Sequence, residues 1–378
     1  MQKGDPASAV KYGALIKEAA RQMTVCNACR YCEGFCPVWD VIEYRREFAK
    51  GDIEYMANLC HDCGQCFDSC PFTSPNEFSI DIPSILSEVR THTYEEYTSP
   101  SIATPLFDRR VRFSLLLLVL SFFGLLTAYF LMGNPARILD LYTGKGSFYE
   151  IFPNIFLDSA GTLLAVFVIA TWLMSGLRFM SASKNRDRIG SGDLVSAMLE
   201  SLGEKWFKGG GAGCNYPERE EHGSYRKFAT HALVMYGFLL DLLATASAFM
   251  EQDFLGIYPP YPILSVPVIS GLSGGLMIIA GVMLFFYYDS RGGNPRGKKM
   301  ESMDRIFLFT LFMTAATGII LFAVRSTTLM GALLLIHLSF VGLLFISAPY
   351  GKFIHLVYRY LSIARYHQEK RLNEDTRS

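Results

Sequence analysis

The chain has 378 residues, enough for two or three domains, and its 35 Lys and Arg residues balance its 35 Asp and Glu residues. A neutral chain offers no excess of positive charge, so composition argues against nucleic acid as a partner. Hydrophobic residues make up 51% of the sequence and the mean hydropathy is +0.23, which is high for a water-soluble protein. Because the apolar excess follows residue 110, we predict a soluble domain over residues 1–100, a linker over 101–111 and a membrane domain over 112–378.

The soluble domain is organised around two copies of one cysteine pattern. A predicted helix over residues 14–25 leads directly into the first copy. Each copy reads C-x2-C-x2-C-x3-C-P, the spacing with which bacterial ferredoxins bind cubane iron–sulfur clusters. The cysteines are Cys26, Cys29, Cys32 and Cys36 in the first copy, and Cys60, Cys63, Cys66 and Cys70 in the second.

This spacing predicts two [4Fe–4S] clusters. In the ferredoxin pattern three closely spaced thiolates bind one cube, and the fourth, next to proline, binds the cube of the other copy. The predicted ligand sets are therefore Cys26, Cys29, Cys32 and Cys70 for one cluster, and Cys60, Cys63, Cys66 and Cys36 for the other. Zinc sites space their cysteine pairs differently, and a disulfide framework would need an oxidising compartment, for which the opening residues show no apolar signal segment.

The other residues of the soluble domain favour helices. Residues 38–59 have a helical pattern with a predicted break near residues 50–52, and residues 78–90 have another, with Pro83 near its start. Charged residues, Ser, Thr and two prolines over residues 95–105 are typical of a linker. Because no β-rich run separates the cysteines, we predict a mostly α fold with a helical ferredoxin-like module.

Six apolar stretches follow, each long enough to cross a hydrocarbon core of about 30 Å. Six buried globular helices of this length in succession are uncommon, so we predict a six-helix transmembrane bundle. The stretches are residues 112–132, 156–180, 229–250, 263–288, 304–324 and 328–347. The fourth contains Pro267 and Gly271–Gly275, which predict a kink or close helix packing.

The distribution of basic residues predicts the orientation of the bundle. Loop 181–228 carries eight Lys or Arg residues and loop 289–305 carries five, whereas the loops of the opposite side carry Arg137, Lys145 and Arg325. By the positive-inside rule both termini, the clusters and the C-terminal tail face the cytoplasm of a bacterial cell, with the bundle in its inner membrane. Cys214, beside a glycine-rich run in loop 181–228, is interpreted as a free thiol.

Four histidines lie where a membrane haem b can use them: His222, His231, His337 and His355. Such a haem takes two imidazoles from facing helices at similar depth. His337 and His355 are 18 residues apart, which is five turns if one helix continues past Pro349. Depth favours pairing His231 with His337 and His222 with His355, and the mixed pair of His231 with His355 fits less well.

One haem is expected from the first pair, and a second depends on His222. His222 and His231 are nine residues apart, and so on opposite faces of a continuous helix. A break near Gly223 would allow His222 to turn toward the bundle. Asp241, in the middle of the third span, either has a structural partner or handles a proton at a quinone site. Trp172 and Arg178 are interpreted as interface anchors.

At this point the sequence resembles a known family. The runs CNACRYCEGFCPVWD (26–40) and CHDCGQCFDSCPF (60–72), followed by six apolar spans, resemble tricarballylate utilization protein B, a CitB-type membrane oxidoreductase family. The runs LIH (335–337) and FIH (353–355) are similar to the last helix of the haem b subunits of nitrate reductase and heterodisulfide reductase. The resemblance implies a membrane electron carrier that reoxidises the reduced flavin of a tricarboxylate dehydrogenase.

The resulting hypothesis is an electron relay from a partner FAD-dependent dehydrogenase through two [4Fe–4S] clusters and haem b to membrane quinone. No GxGxxG fingerprint precedes the spans, so the chain is not itself the substrate dehydrogenase. One alternative is the membrane anchor of a heterodisulfide-reductase-like or nitrate-reductase-like complex that runs from quinol to the clusters. Another is a redox sensor or transporter, although eight cluster ligands exceed what one switch needs and the spans show no inverted repeat.

Overall fold

The structure is a computed structural model that describes residues 6–100, 110–132, 138–182, 188–208, 225–290 and 298–375. These residues form helices and turns, and none of them forms a strand. The predicted mostly α fold is therefore confirmed. His222, Cys214 and most of the predicted linker lie outside the described residues.

Five helices form the N-terminal module: α1 (Pro6–Cys29), α2 (Pro37–Glu43), α3 (Lys50–Leu59), α4 (Gln65–Asp68) and α5 (Ile82–Tyr97). The predicted break near residues 50–52 lies instead before Lys50, because the Asp52 carboxylate accepts a hydrogen bond from the Ala49 N–H (3.2 Å) and caps α3. Helix α5 begins after Asp81, whose carboxylate accepts from the Ser84 N–H (3.1 Å). It runs to Tyr97, so the start of the predicted linker is helical.

Six helices are long and apolar enough to cross a membrane, which confirms the six predicted spans. Many of their large apolar side chains, such as Leu163 and Leu177, are exposed and have an apolar surface to offer to lipid. The helices are α6 (Arg110–Met132), α7 (Asn154–Ala182), α9 (Tyr225–Asp253), α10 (Val266–Asp289), α11 (Lys298–Val324) and α12 (Met330–Ser347), with α8 (Ser191–Leu202) between the second and third.

Helices α9 and α10 approach each other closely through glycine. A Cβ added at Gly237 would lie 2.8 Å from the Gly274 carbonyl, and one at Gly274 would lie 2.5 Å from Oδ1 of Asp241. Only glycine allows the two backbones to pack at this distance. The close packing predicted for this span is confirmed, and the Asp241 carboxylate lies against the backbone of α10.

The last span ends at Ser347, and two 3₁₀ turns (Ala348–Tyr350 and Lys352–Ile354) lead into α13 (His355–Asp375). Pro349 has no N–H to continue the α-helical hydrogen bonds, and Gly351 is extended with φ −117 and ψ −159. His337 and His355 therefore lie on different helices. The condition that one helix continues past Pro349 is not met, so the five-turn spacing does not place the two histidines on one face.

Helix α13, within the predicted C-terminal tail, packs against both the N-terminal module and α8. Arg45 and Glu369 form an ion pair of 2.8 Å with side chains only 12% and 9% exposed. The Tyr366 hydroxyl donates to Asp40 Oδ2 (2.6 Å). Apolar residues of α13 share one core with those of α1, α2, α3 and α5. The last helix therefore completes the fold of the cysteine-bearing module.

Two contacts join the module to the bundle. Arg178, at the end of α7, donates hydrogen bonds to the carbonyls of Thr98 (3.2 Å) and Glu96 (3.3 Å) at the end of α5. The rings of Phe179 and Tyr358 pack with centroids 4.9 Å apart. Because the start of α11 and the end of α7 meet the module, the cysteines lie at the same end of the bundle as the two basic loops.

Candidate functional site

The first group of cysteines surrounds a cavity of about 430 Å³ that is partly open to solvent. Helix α1 positions two of them in its last turns, and the loop after α4 supplies the cysteine of the second copy. Cys29 is exposed, and apolar side chains such as Trp39 and Phe72 form the other walls. The group, here the outer cysteine group, is Cys26, Cys29, Cys32 and Cys70.

The remaining four cysteines form the inner cysteine group, Cys36, Cys60, Cys63 and Cys66. Burial raises the pKa of the Cys36 thiol well above its ordinary value, and the nearby charges of Cys63 and Cys60 raise it further. In the outer group burial raises the pKa of Cys26 to about 12, with added repulsion from Cys70 and Cys29. Each copy thus sends its last cysteine to the other copy's group, although the ligand roles stay a prediction.

Both groups offer the environment that an iron–sulfur cluster needs. Cluster-bound cysteines are thiolates, and backbone N–H groups that point at sulfur stabilise that charge. Such N–H donors lie 3.4 Å from Sγ of Cys60 and of Cys70, supplied by Asp62 and Phe72. Cys36 is the N-cap residue of α2, and the backbone N–H groups of Val38 and Trp39 act to lower the pKa of its thiol, against the larger effect of burial. Five cysteines line the outer cavity, the outer cysteine group together with Cys66 of the inner group, and cysteines spread in this way suit a cubane, which spaces its ligands more widely than a single ion does.

Two buried arginines hold the chain beside the inner group. Arg90, 2% exposed, donates hydrogen bonds to the carbonyls of Ala57 (2.7 Å) and Cys60 (2.8 Å). Arg359 of α13 donates to the same Cys60 carbonyl (2.6 Å). Sequence reasoning missed both arginines, because neither belongs to a motif and their common partner is a backbone atom.

The three described candidate haem ligands share one feature, which is an occupied Nδ1. The contacts are His231 Nδ1 to Glu204 Oε1 (3.0 Å), His337 Nδ1 to Thr317 Oγ1 (3.1 Å) and His355 Nδ1 to the Lys352 carbonyl (2.5 Å). A ring whose Nδ1–H donates to such an acceptor is oriented to use Nε2 as a metal ligand. All three residues therefore fit the role of haem ligand.

Their positions differ. His337 lies within the last span against α11, where a Cβ at Gly318 would approach its ring to 3.0 Å. At the junction of the module and the bundle, burial lowers the pKa of His355 well below its ordinary value, and the charge of His231 is among the lesser causes. Burial likewise lowers the pKa of His61, which follows Cys60, and the charge of His231 is again a lesser cause. His231 is therefore near enough to His355 for their charges to interact, which keeps open the pair that the sequence ranked lower.

His61 is a further residue that sequence reasoning passed over. It is 8% exposed and lies between the inner cysteine group and the histidines of the bundle. Its position directly after a predicted cluster ligand was the available signal. Within the described residues, no three His, Cys, Asp or Glu side chains lie close enough to bind a single metal ion.

Comparison with known proteins agrees with this two-part arrangement. The model of the family described as citrate utilization protein B matches residues 108–376, and that of its Fer4-like domain matches residues 19–96. The chain belongs to the citrate utilization protein B family. Citrate utilization protein B of Escherichia coli is 38% identical over 360 residues, which cover 94% of this chain and 92% of the relative.

The two matches of the citrate utilization protein B family divide the chain at its structural junction. The Fer4-like match contains all eight motif cysteines, and the longer match contains the six apolar helices and α13. The predicted resemblance is confirmed, as are an iron–sulfur domain and a membrane protein in outline. No solved structure matches the chain.

Proposed function

We propose that this protein carries electrons from the reduced flavin of an FAD-dependent dehydrogenase to membrane quinone. The observation that supports it best is the order of the groups, with the exposed outer cysteine group first, the inner group next and the histidines at the mouth of the bundle. The family match and the relative named for citrate utilization support a tricarboxylate as the substrate of the partner, as tricarballylate would be.

The outer and inner groups would each hold one [4Fe–4S] cluster, and the clusters split the two-electron oxidation of flavin into single-electron steps. The chain's own residues supply the surroundings. The apolar walls of the outer cavity exclude water, and the N–H groups of Asp62 and Phe72 stabilise thiolate charge. Arg90 and Arg359 fix the loop that carries Cys60.

Haem b would be held by Nε2 of two histidines. His231 belongs to both pairings that the described residues allow, with His337 by depth in the sequence or with His355 by the electrostatic interaction of the two rings. Glu204, Thr317 and the Lys352 carbonyl orient the three rings. A second haem would need His222 in addition.

The basic loops lie at the cysteine-bearing end of the bundle, which supports a cytoplasmic location for that end and for both termini in a bacterial inner membrane. A soluble dehydrogenase would then meet the outer cysteine group first. The lipid bilayer supplies the quinone.

Stopped-flow mixing of the reduced dehydrogenase with oxidised full-length protein tests this order. Cluster absorbance should bleach before haem is reduced, and added quinone should then reoxidise the haem. Reduction of haem at the normal rate in a Cys26→Ser or Cys60→Ser variant would show that the clusters are off the path. If quinol reduces the haem while the dehydrogenase reduces nothing, the protein is instead the anchor of a complex that runs from quinol to the clusters.

A further inference from the structure

A second cavity lies at the cysteine-bearing end of the bundle. It lies between α6, α11, α12 and the turns that follow α12, and its empty space of about 570 Å³ includes the side that opens to solvent. Its walls are mainly apolar and include Phe113, Phe307, Leu344 and Phe353. Small-molecule sites in proteins combine mainly apolar walls with a few polar groups.

One lining residue, Lys352, belongs to a largely buried ion pair with Asp304, which is not itself part of the lining. Lys352 Nζ lies 2.6 Å from Asp304 Oδ1, and the two side chains are 19% and 10% exposed. The ammonium also donates to the sulfur of Met300 (3.3 Å), a weak acceptor, and it carries three donors in all. Thr310 and Ser347 add hydroxyl groups to the lining. A desolvated ion pair is costly unless further partners or a ligand use it, so an apolar occupant alone does not account for it.

The same short segment connects this cavity to the proposed redox groups. While the Lys352 side chain lines the cavity, its carbonyl accepts the hydrogen bond from His355 Nδ1 (2.5 Å). On the other side, Arg90 is close enough for its charge to act on Lys352, and Arg90 holds the Cys60 carbonyl (2.8 Å). A ligand in the cavity would therefore lie beside both the inner cysteine group and a candidate haem ligand.

We propose that this cavity binds the headgroup of membrane quinone, with one quinone carbonyl accepting a hydrogen bond from the Lys352 ammonium. This inference rests on the proposed function and assigns the site of its last step. A phospholipid tail would fill the apolar walls but would have no use for Lys352 and Asp304. Reduction adds two electrons and two protons and converts the two carbonyls of the quinone to hydroxyls. The electrons would come from the iron–sulfur and haem groups proposed above, and the protons would come from water at the open side of the cavity.

Two variants test the site in the full-length protein. Lys352→Met removes the donor at similar length, and Ser114→Phe fills the cavity from α6 without touching the ion pair. Lys205→Met, which removes an ammonium of the same end that is 61% exposed, and Leu115→Phe, on the exposed face of α6, are the matched controls. Dithionite-reduced protein in lipid nanodiscs is mixed with decylubiquinone, and reoxidation is followed by absorbance. Ferricyanide serves as an oxidant that needs no site, and photolabelling with an azidoquinone gives a readout that is independent of turnover.

We expect Lys352→Met to raise the decylubiquinone concentration for half-maximal rate by about tenfold or more, the loss of one charge-assisted hydrogen bond. Ser114→Phe should reduce photolabelling by a similar factor, and wild-type label should map to the peptides around residues 303–310 or 344–353. Both controls and all ferricyanide rates should match the wild type.

Normal decylubiquinone kinetics in both variants, or label elsewhere, would overturn the site while leaving the proposed function intact. Label that excess decylubiquinone does not displace would identify a lipid pocket and also overturn the site. Wild-type protein that ferricyanide oxidises but no quinone does would overturn the proposed function itself.

Discussion

The outer and inner cysteine groups derive from two copies of one motif, yet their surroundings differ. The outer group opens to solvent and includes the exposed Cys29. In the inner group Cys60 is buried, and its carbonyl accepts hydrogen bonds from Arg90 and from Arg359 of α13. The motif therefore determines how cysteines are spaced, whereas distant helices determine what each group faces. A group that includes an exposed cysteine suits electron entry, and a group whose backbone is held by α13 beside the bundle suits electron exit.

The largest expected effect would distinguish the outer group, where electrons would enter, from the inner group, where they would leave. We expect Cys29→Ser to abolish haem reduction by the dehydrogenase while a small chemical reductant still reduces the haem. Cys63→Ser should leave the outer cluster reducible by the dehydrogenase and stop electrons there. Iron and sulfide analysis with electron paramagnetic resonance would show a loss of about four of about eight irons in each. Identical behaviour of the two variants would contradict the comparison.

Variants of the candidate haem ligands test which histidines the inner cysteine group faces. Loss of either axial imidazole removes the low-spin signal of a bis-histidine haem, so His231→Ala should abolish it in either pairing. Loss of the same signal in His355→Ala but not in His337→Ala would identify a haem at the mouth of the bundle. The reverse result would identify the deeper pair, and a normal spectrum in His231→Ala would contradict both. His92→Ala, outside the set, is the control.

The charge of Arg359 should distinguish the two clusters by potential. Removing a positive charge beside an iron–sulfur cluster makes the cluster harder to reduce. We expect Arg359→Met to lower the reduction potential of the inner cluster by on the order of tens of millivolts and to leave the outer one unchanged. Redox titration followed by electron paramagnetic resonance measures both, with Arg359→Lys as the variant that keeps the charge. Equal shifts in the two clusters would contradict the assignment.

The ion pair of Arg45 with Glu369 should hold α13 on the module. Glu369 also accepts from Arg365 (3.2 Å), so Glu369→Gln removes a carboxylate that two arginines share, while Arg45 keeps its ion pair with Asp52 (2.8 Å). Breaking a largely buried pair costs about 3 kcal/mol. Hydrogen exchange should therefore rise in α13 and around the inner group more than around the outer cavity, whereas the exposed Glu374→Gln should change neither. Unchanged protection in Glu369→Gln would show that the pair does not hold the helix.

The smallest expected effect is on the stability of the junction of α8 and α13 at low pH. A hydrogen bond from Arg371 (3.0 Å) holds the pKa of Asp193 below its ordinary value and joins α13 to α8. A depressed folded pKa contributes stability above the unfolded value, and this stability is lost as pH falls through the folded value. Because Arg371 is 48% exposed, the effect should be about 0.5 kcal/mol or less. Hydrogen exchange of α8 between pH 6 and pH 3 measures it, and Arg371→Met should remove most of the difference.

Local sequence patterns predicted the parts of the fold that depend on residues close together in the chain. The C-x2-C-x2-C-x3-C-P copies and the six apolar runs are each encoded within a few dozen residues, and the family and the spans are confirmed. The end of α12 was also locally encoded, in Pro349 and Gly351, and the five-turn spacing of His337 and His355 depended on a helix that continued past Pro349. Periodicity along a helix is informative only where the helix is unbroken.

The surroundings of the candidate site could not be predicted in the same way. Arg45 and Glu369 are 324 residues apart, and Arg359 is 299 residues from the Cys60 carbonyl it binds. Neither contact leaves a periodic pattern, since each depends on how α13 turns back after the span. His61 was visible in the sequence, but its importance arises only from the approach of His231.

The return of α13 to the module also sets the order of events during biosynthesis. Arg45 leaves the ribosome 324 residues before Glu369, which at roughly 5–20 residues per second is a delay of tens of seconds. Throughout that time the six spans are being inserted, and the cysteine-bearing segment lacks the helix that completes its core. A premature stop before α13 would therefore yield a membrane-inserted chain that has all its motif cysteines but lacks the helix that packs against the N-terminal module. The packing of α13 against the module comes last, so only a fully translated molecule connects its outer cysteine group to the membrane bundle.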